Sequence, residues 1–151
     1  MSNKTQAEQQ QCETSPDSHP AKTSPLAVTV ISFGYKEGAP PVANLVFDVR
    51  FLKNPFWVEE LRPLTGEDKA VQAYVMQQPL AVEFLRSVMN MLDTLLPQLE
   101  EQKVGDFSIA FGCTGGQHRS ATLASRVASE LGKRYPHYRV IKQHRELTQK
   151  A

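Results

Sequence analysis

The hydrophobic and polar positions of this chain predict four strands and three helices. Short apolar runs rich in β-branched residues, bounded by glycine or polar residues, are typical of buried strands. Such runs lie at 26–33, 45–51, 109–111 and 138–142. Apolar residues recur at helical spacing over 67–77, 81–99 and 120–131. We expect Pro97 to kink the second helix or end its regular hydrogen bonding, and Gly132 to stop the third.

Strands and helices alternate in the second half of the chain, which favours crossover connections between parallel strands. We therefore expect an α/β fold, a single three-layer-like domain with a small, mostly parallel sheet flanked by helices. The 151 residues fit one such domain, predicted over 26–147. The polar segment 1–25 is predicted to be disordered because it offers almost nothing that could pack. Residues 148–151 are predicted to form a flexible C-terminus.

Composition narrows the class of protein. The 17 Lys and Arg residues against 16 Asp and Glu give a net charge of +1, which argues against binding a polyanion by overall charge but allows a local basic patch. Cys12 and Cys113 lie in very different surroundings, so we expect no disulfide and a reducing cytoplasm. Neither an apolar run of the ~20 residues that a membrane span needs nor the apolar core of a signal peptide is present. No metal, cofactor or membrane partner is predicted.

The most informative segment is 108–120, where a predicted strand meets a predicted helix through a short polar loop. Such a junction directs free backbone N–H groups and the positive end of the helix dipole at whatever lies above the loop. Gly115 and Gly116 let the backbone approach a ligand closely. His118 and Arg119 add cations where the dipole disfavours them, unless a bound anion compensates. The segment therefore predicts an oxyanion site, most plausibly for phosphate.

The second predicted strand carries two charges that belong to the same prediction. Asp48 and Arg50 lie near its end, and charges in a buried strand are costly unless they are paired or used. Because ligands of parallel sheets collect beyond the carboxyl ends of the strands, we expect both residues near the loop. The predicted ligand-binding residues are Asp48, Arg50, Thr114, Gly115, Gly116, His118, Arg119 and Ser120.

Two interpretations of the loop remain open from the residues alone. Cys113 and Arg119 are separated by five residues and followed by Ser120, which matches the signature of cysteine-dependent phosphatases. In such an enzyme Cys113 is the nucleophile, Arg119 holds the phosphate oxygens and Asp48 is the general acid. In the second interpretation the loop binds an anion without a nucleophile, and Cys113 is a small buried residue at the strand end.

Five segments in one order identify a family resemblance. They are Ser32-Phe33-Gly34-Tyr35-Lys36-x-Gly38, Val46-Phe47-Asp48-Val49-Arg50-Phe51-Leu52-x-Asn54-Pro55, Leu61-Arg62-Pro63-Leu64-Thr65-Gly66, Gly112-Cys113-Thr114-Gly115-Gly116-Gln117-His118-Arg119-Ser120 and His144-Arg145-Glu146-Leu147. Over roughly residues 27–149 the chain resembles the C-terminal domain of the RNase adapter family RapZ, also called the YvcJ-type family. In that family a P-loop domain comes first. The motif Gly-x4-Gly-Lys-Ser/Thr is absent from this sequence. The resemblance therefore does not extend the binding or hydrolysis of ATP or GTP to this chain.

The resemblance implies a regulatory binding module without enzymatic activity, with the cysteine phosphatase as the alternative. Its implied ligand is a phosphorylated amino sugar such as glucosamine-6-phosphate, held at the 113–120 loop. It also implies binding of a small regulatory RNA and of an endoribonuclease or another regulatory protein, in the control of bacterial amino-sugar metabolism. A homo-oligomer is left open. The implied RNA-binding residues are Lys36, Arg119, Lys142, His144, Arg145 and Lys150.

The sequence departs from the family at three places. Phe56 and Glu37 stand at positions that are histidine in some members, and Phe56 cannot donate a hydrogen bond to a phosphate or an amino sugar. The segment 133–151 ends with fewer lysines and arginines than is common, although six basic residues against one acidic residue still give it a local net charge of +5. Such a patch favours contacts with RNA that are sensitive to salt and tolerant of sequence.

Overall fold

A computed structural model describes residues 25–148 of the chain. Its strands are β1 (Ala27–Gly34), β2 (Leu45–Asp48), β3 (Asp106–Cys113) and β4 (Arg139–His144). They form one sheet in the order β2-β3-β1-β4, and all neighbouring strands are parallel. The prediction of a single α/β domain with a mostly parallel sheet is confirmed. The predictions for residues 1–24 and 149–151, including Cys12 and Lys150, lie outside the described residues.

Within residues 25–148, four helices accompany the sheet. They are α1 (Lys69–Met76), α2 (Pro79–Glu101), α3 (Arg119–Arg134) and α4 (Arg145–Thr148), and two short 3-10 helices cover Tyr35–Glu37 and Pro55–Trp57. Helix α3 follows β3 directly and packs against β1, β3 and β4. None of the helices between residues 25 and 148, the 23-residue α2 included, is long and apolar enough to cross a membrane.

Several element boundaries differ from the sequence prediction, and three of them are informative. β2 ends at Asp48 and does not continue to Phe51. The chain turns at Asp48 because its side chain accepts a hydrogen bond from the Arg50 N–H. Helix α2 continues past Pro97 to Glu101, because proline removes only one hydrogen bond near the end of a helix that is held by buried leucines. Helix α3 likewise continues through Gly132 to Arg134.

The sheet has unequal apolar cores on its two faces. Alternate residues of β1 and β3, such as Val30 and Phe111, join the larger core that α1, α2 and α3 complete. The residues between them contribute to a small cluster of Ile31, Phe33 and Ala110. This alternation follows from the two-residue period of a strand, which sends successive side chains to opposite faces.

The carboxyl ends of the strands meet at one edge of the sheet. In the strand register Gly34 lies opposite Cys113, and Asp48 lies opposite Gly112. The 113–120 loop therefore leaves the sheet between the end of β1 and the end of β2.

Candidate anion-binding site

The 113–120 loop lies directly against the end of β1, backbone to backbone. A Cβ on Gly34 would lie 2.5 Å from the carbonyl carbon of Gly115. Gly116 has a φ of 74°, in the left-handed region, and a Cβ there would lie 2.7 Å from the nitrogen of Gly34. The Lys36 N–H also donates to the carbonyl of Thr114 at 3.0 Å. Two glycines thus permit the close approach that fixes the position of the loop.

Helix α4 supports this arrangement from the side of β1. The Glu146 carboxylate, only 4% exposed, accepts hydrogen bonds from the Gly34 N–H at 2.6 Å and from Arg145 Nε at 2.8 Å. Arg145 also donates to the carbonyl oxygens of Gly34 and Ala39, at 3.2 and 2.6 Å. Helix α4 is therefore tied to the strand on which the loop rests.

The Cys113 side chain lies inside the loop and is nearly buried. The Gly116 N–H donates to Cys113 Sγ at 3.3 Å, and the Ser120 hydroxyl lies 3.1 Å from the same sulfur. Gly116 and Ser120 are themselves buried and do not line the cavity described below. Gly116 and Ser120 therefore support the loop from its buried side, whereas Cys113 also belongs to the cavity lining.

Arg119 is only 5% exposed, which rules out an ordinary surface arginine. Its Nη1 donates to the carbonyl oxygens of Arg50 and Leu52, each at 2.9 Å, and its Nη2 lies 3.4 Å from Thr114 Oγ1. Its buried Nε has no hydrogen-bond partner among residues 25–148. The side chain thus joins the start of α3 to the turn after β2, while its Nε is left without an acceptor among the described residues.

His118, the N-cap of α3, is also buried, with 6% exposure. Burial lowers the pKa of His118, although the nearby backbone carbonyls of Arg62, Leu61 and Leu64, as acceptors for the ring N–H, act in the opposite direction. Its Nε2 is buried and has no hydrogen-bond partner in the described part of the chain. The lowered pKa favours a neutral imidazole at pH 7, which offers a ligand one hydrogen bond without adding a charge.

These side chains meet in a cavity of about 330 Å³. It is lined by Lys36, Glu37, Asn54, Phe56, Trp57, Cys113, Thr114, Gly115, Gln117, His118 and Arg119. The predicted ligand-binding residues that line it are Thr114, Gly115, His118 and Arg119, and this volume is typical of small-molecule sites.

Asp48 and Arg50 lie beside the cavity and not in its wall. The Arg50 Nε and Nη2 donate to both carboxylate oxygens of Asp48, with the shortest distance 2.6 Å, and the guanidinium lies 4.2 Å from the centre of the Tyr35 ring. The hydrogen bond from the Arg50 side chain lowers the pKa of Asp48. Asp48 is therefore ionised near neutral pH, and the general acid that the phosphatase interpretation needs is not brought into the cavity.

Sequence reasoning missed part of the cavity wall. Asn54, Trp57 and Gln117 line it, together with Phe56 and Glu37, which the sequence marked only as departures from the family. A signal was present in the segment 54–57, where two aromatic residues occupy a turn directly after a strand.

The residues that the resemblance implies for RNA binding occupy different surroundings. Lys36 is exposed at the cavity, and Lys142 is exposed on β4, where its Nζ lies 3.0 Å from Glu67. His144 is buried and hydrogen-bonded to Ser32 at 2.6 Å. Within residues 25–148 no group of three or more His, Cys, Asp or Glu side chains could hold a metal ion.

The structure is a parallel α/β domain with a glycine-rich loop at the strand ends and a buried histidine and arginine at the start of the following helix. Residues 26–148 match the model of the RapZ C-terminal domain, and the chain belongs to this family. The resemblance read from the sequence is confirmed.

The chain is similar to proteins described as nucleotide-binding proteins in several bacteria. It is 48% identical over 121 residues to one from Alkaliphilus oremlandii, covering 80% of this chain and 41% of the relative. It is 49% identical over 108 residues to one from Novosphingobium aromaticivorans, covering 72% and 35%. A relative from Clostridioides difficile is 46% identical over 121 residues, covering 80% and 42%. The chain therefore spans about two fifths of the length of these curated relatives.

Proposed function

We propose that this domain is a regulatory binding module without enzymatic activity, and that its cavity binds a phosphorylated amino sugar of the glucosamine-6-phosphate type. The observation that carries the proposal concerns two residues of the cavity wall, His118 and Arg119, and in them two buried polar atoms, His118 Nε2 and Arg119 Nε. Both side chains are more than nine-tenths buried, and neither atom has a partner among the described residues. Buried donors and acceptors are normally satisfied, so this pair points to a ligand.

Phosphate suits the chemistry of this end of the cavity. Nε and Nη2 form one edge of the Arg119 guanidinium, and such an edge binds two oxygens of a phosphate in parallel. The N-terminus of the 16-residue α3 adds the positive end of its dipole and free N–H groups, and Thr114 adds a hydroxyl. The Arg50 and Leu52 carbonyls hold Nη1, so the guanidinium is oriented before a ligand arrives.

An amino group on the ligand fits the opposite charge in the same cavity. The Glu37 carboxylate lines the cavity together with the anion-binding residues. A carboxylate gains a charge–charge attraction from an ammonium group, whereas the hydroxyl of an uncharged sugar at that position offers it only a hydrogen bond. This contact supports an amino sugar phosphate over a neutral sugar phosphate.

Calorimetry with glucosamine-6-phosphate and glucose-6-phosphate tests the proposal. We expect the amino sugar phosphate to bind more tightly, and Arg119→Ala to raise its Kd at least about tenfold, because charge-assisted hydrogen bonds to the phosphate are lost. Arg126→Ala is the matched control, since Arg126 is exposed on the same helix. A thermal melt of each variant shows whether it is folded.

Two results would contradict this proposal. The first is the absence of heat with any sugar phosphate for the unmodified protein. The second is hydrolysis of an aryl phosphate that Cys113→Ser abolishes, which would favour the phosphatase interpretation.

We further propose that the domain binds a small regulatory RNA in the cytoplasm and acts with an endoribonuclease or another regulatory protein. Lys36 supports a link between the two ligands, because its side chain lines the cavity and its N–H is bonded to Thr114. RNA bound at Lys36 therefore lies next to the loop that binds the sugar phosphate.

A further inference from the structure

We propose that Phe56 and Trp57 form an aromatic wall that sets the ligand class of the cavity, selecting phosphate monoesters that carry a ring with an apolar face over acyclic ones. This inference rests on the proposed phosphate site at the 113–120 loop. It assigns the selection of the remainder of the ligand to two residues that neither the loop signature nor the charge pattern includes.

The aromatic wall is held in place by its own segment. Asn54 Oδ1 accepts a hydrogen bond from the Phe56 N–H at 3.1 Å and caps the 3-10 helix Pro55–Trp57, whose Pro55 is buried. Arg62 Nε donates to the Phe56 carbonyl at 2.9 Å, and its guanidinium lies 5.0 Å from the centre of the Phe56 ring. The two rings meet edge to face with their centres 5.5 Å apart. Little conformational entropy therefore remains to be lost when a ligand packs there.

The exposure of the aromatic wall is high for side chains of this size. Trp57 is 76% exposed and Phe56 is 43% exposed, although both line the cavity. Leaving such rings in water forgoes the stabilisation that burial would give, so their role is not in the core of this domain. Phe51 provides a contrast, because it is 48% exposed but lies in a different surface depression with Leu80.

The two ends of the cavity fit two ends of one small molecule. The anion-binding loop takes the phosphate, and the aromatic wall takes a flat or apolar ring face. Pyranose sugars present C–H groups on a ring face, and nucleobases present a π-face that stacks on aromatic side chains. Glycerol-3-phosphate carries the same phosphate monoester without a ring, so it separates recognition by the wall from recognition by the loop.

The test is a calorimetric comparison of glycerol-3-phosphate, glucosamine-6-phosphate and adenosine monophosphate. We expect the ring-bearing phosphates to bind at least about fivefold more tightly than glycerol-3-phosphate, by analogy with base stacking on aromatic residues. We expect the ratio of the Kd of glycerol-3-phosphate to the Kd of a ring-bearing phosphate to fall towards one in Trp57→Ala and in Phe56→Ala. It is retained in Trp57→Phe, which keeps a flat ring, and in the control Phe51→Ala. Because Trp57 is the only tryptophan of the chain, its fluorescence in the unmodified protein reports ring contact directly.

Each outcome has a defined meaning. Binding of all three phosphates with equal affinity, or a ratio that Trp57→Ala and Phe56→Ala leave unchanged, overturns the aromatic wall and leaves the phosphate site standing. Binding of none of the three phosphates overturns both proposals. If the wall is correct, the sugar and nucleotide arms identify which ring it prefers.

Discussion

The Glu67 carboxylate, just before α1, connects three segments of the fold through its side chain. It accepts hydrogen bonds from Ser125 Oγ on α3 at 2.5 Å and from Lys142 Nζ on β4 at 3.0 Å. His144 Nε2 lies 2.5 Å from the same carboxylate. Partial burial raises the pKa of Glu67, but the hydrogen bonds from Ser125, Lys142 and His144 outweigh it and lower the pKa to about 2.

This lowered pKa predicts a dependence of stability on pH. The ordinary value for glutamate is 4.5, so the charged Glu67 stabilises the folded protein fully above pH 4.5. That contribution is lost as the pH falls from about 4.5 towards 2, because protons then bind the unfolded chain more readily. We expect Glu67→Gln to lower the urea midpoint at pH 7, and its deficit relative to the unmodified protein to shrink below pH 4.5.

Glu83→Gln is the control for this measurement. Glu83 pairs with Arg86 on the surface of α2, and both side chains are at least 60% exposed. Exposed pairs contribute little to stability, so this deficit should be small at every pH. Parallel pH profiles for Glu67→Gln and the unmodified protein would contradict the role assigned to the carboxylate.

At the scale of single elements, glycine has opposite effects in the loop and in the helix that follows it. Gly116 has a positive φ and no room for a Cβ beside Gly34, so we expect Gly116→Ala to destabilise the fold by about 1–3 kcal/mol. Gly132 lies exposed within α3 with open space around its Cα. We expect Gly132→Ala to stabilise the fold by roughly 0.5–1 kcal/mol.

Denaturant unfolding of the two variants measures both effects. Gly116→Ala should also weaken sugar phosphate binding, because the loop that it displaces carries Thr114 and Gly115. Gly132→Ala should leave the Kd unchanged. Equal effects of the two substitutions on stability would show that the close contact between the loop and β1 is unimportant.

Local periodicity predicts which elements form, but tertiary contacts set where they end. The pattern of β-branched and amphipathic segments predicts the strands and the three longer helices, because burial of one face determines them. The end of β2 depends on the Asp48 side chain, and α3 continues through an exposed glycine that follows the buried Leu131. Neither effect has a period that a sequence pattern would reveal.

The candidate site, like the fold, has one part that the sequence predicts and another part that depends on contacts between distant residues. The residues of a continuous loop, Thr114 to Arg119, could be predicted because the loop carries its own signature. The contact of Arg119 with the carbonyls of Arg50 and Leu52 joins positions 69 and 67 residues apart, and it involves backbone atoms that every residue has. The sequence predicts Asp48 and Arg50 near the ligand; in the structure they pair with each other next to the cavity, an arrangement that no sequence pattern indicates.

At the scale of the whole molecule, charge limits how RNA could bind. With a net charge of +1 the protein has no strong overall attraction for a polyanion. Any RNA contact must therefore come from a few local cations, and its affinity must depend on salt according to their number. Among the implied residues, Lys36 and Lys142 are exposed, whereas Arg119 and His144 are buried.

A gel-shift series over salt concentration counts these contacts. For single-stranded RNA each neutralised phosphate contributes about −0.7 to the slope of log K against log salt. We expect the double variant Lys36→Ala/Lys142→Ala to make this slope shallower by about 1.4, since two phosphate contacts are lost. Lys69→Ala is the control, because Lys69 is exposed on α1 outside the implied set, and it should leave the slope unchanged.

No shift at low salt, or an equal change in the control, would remove the argument for RNA contact through these two lysines. The proposal of a sugar phosphate site would still stand after such a result, since it rests on His118 and Arg119.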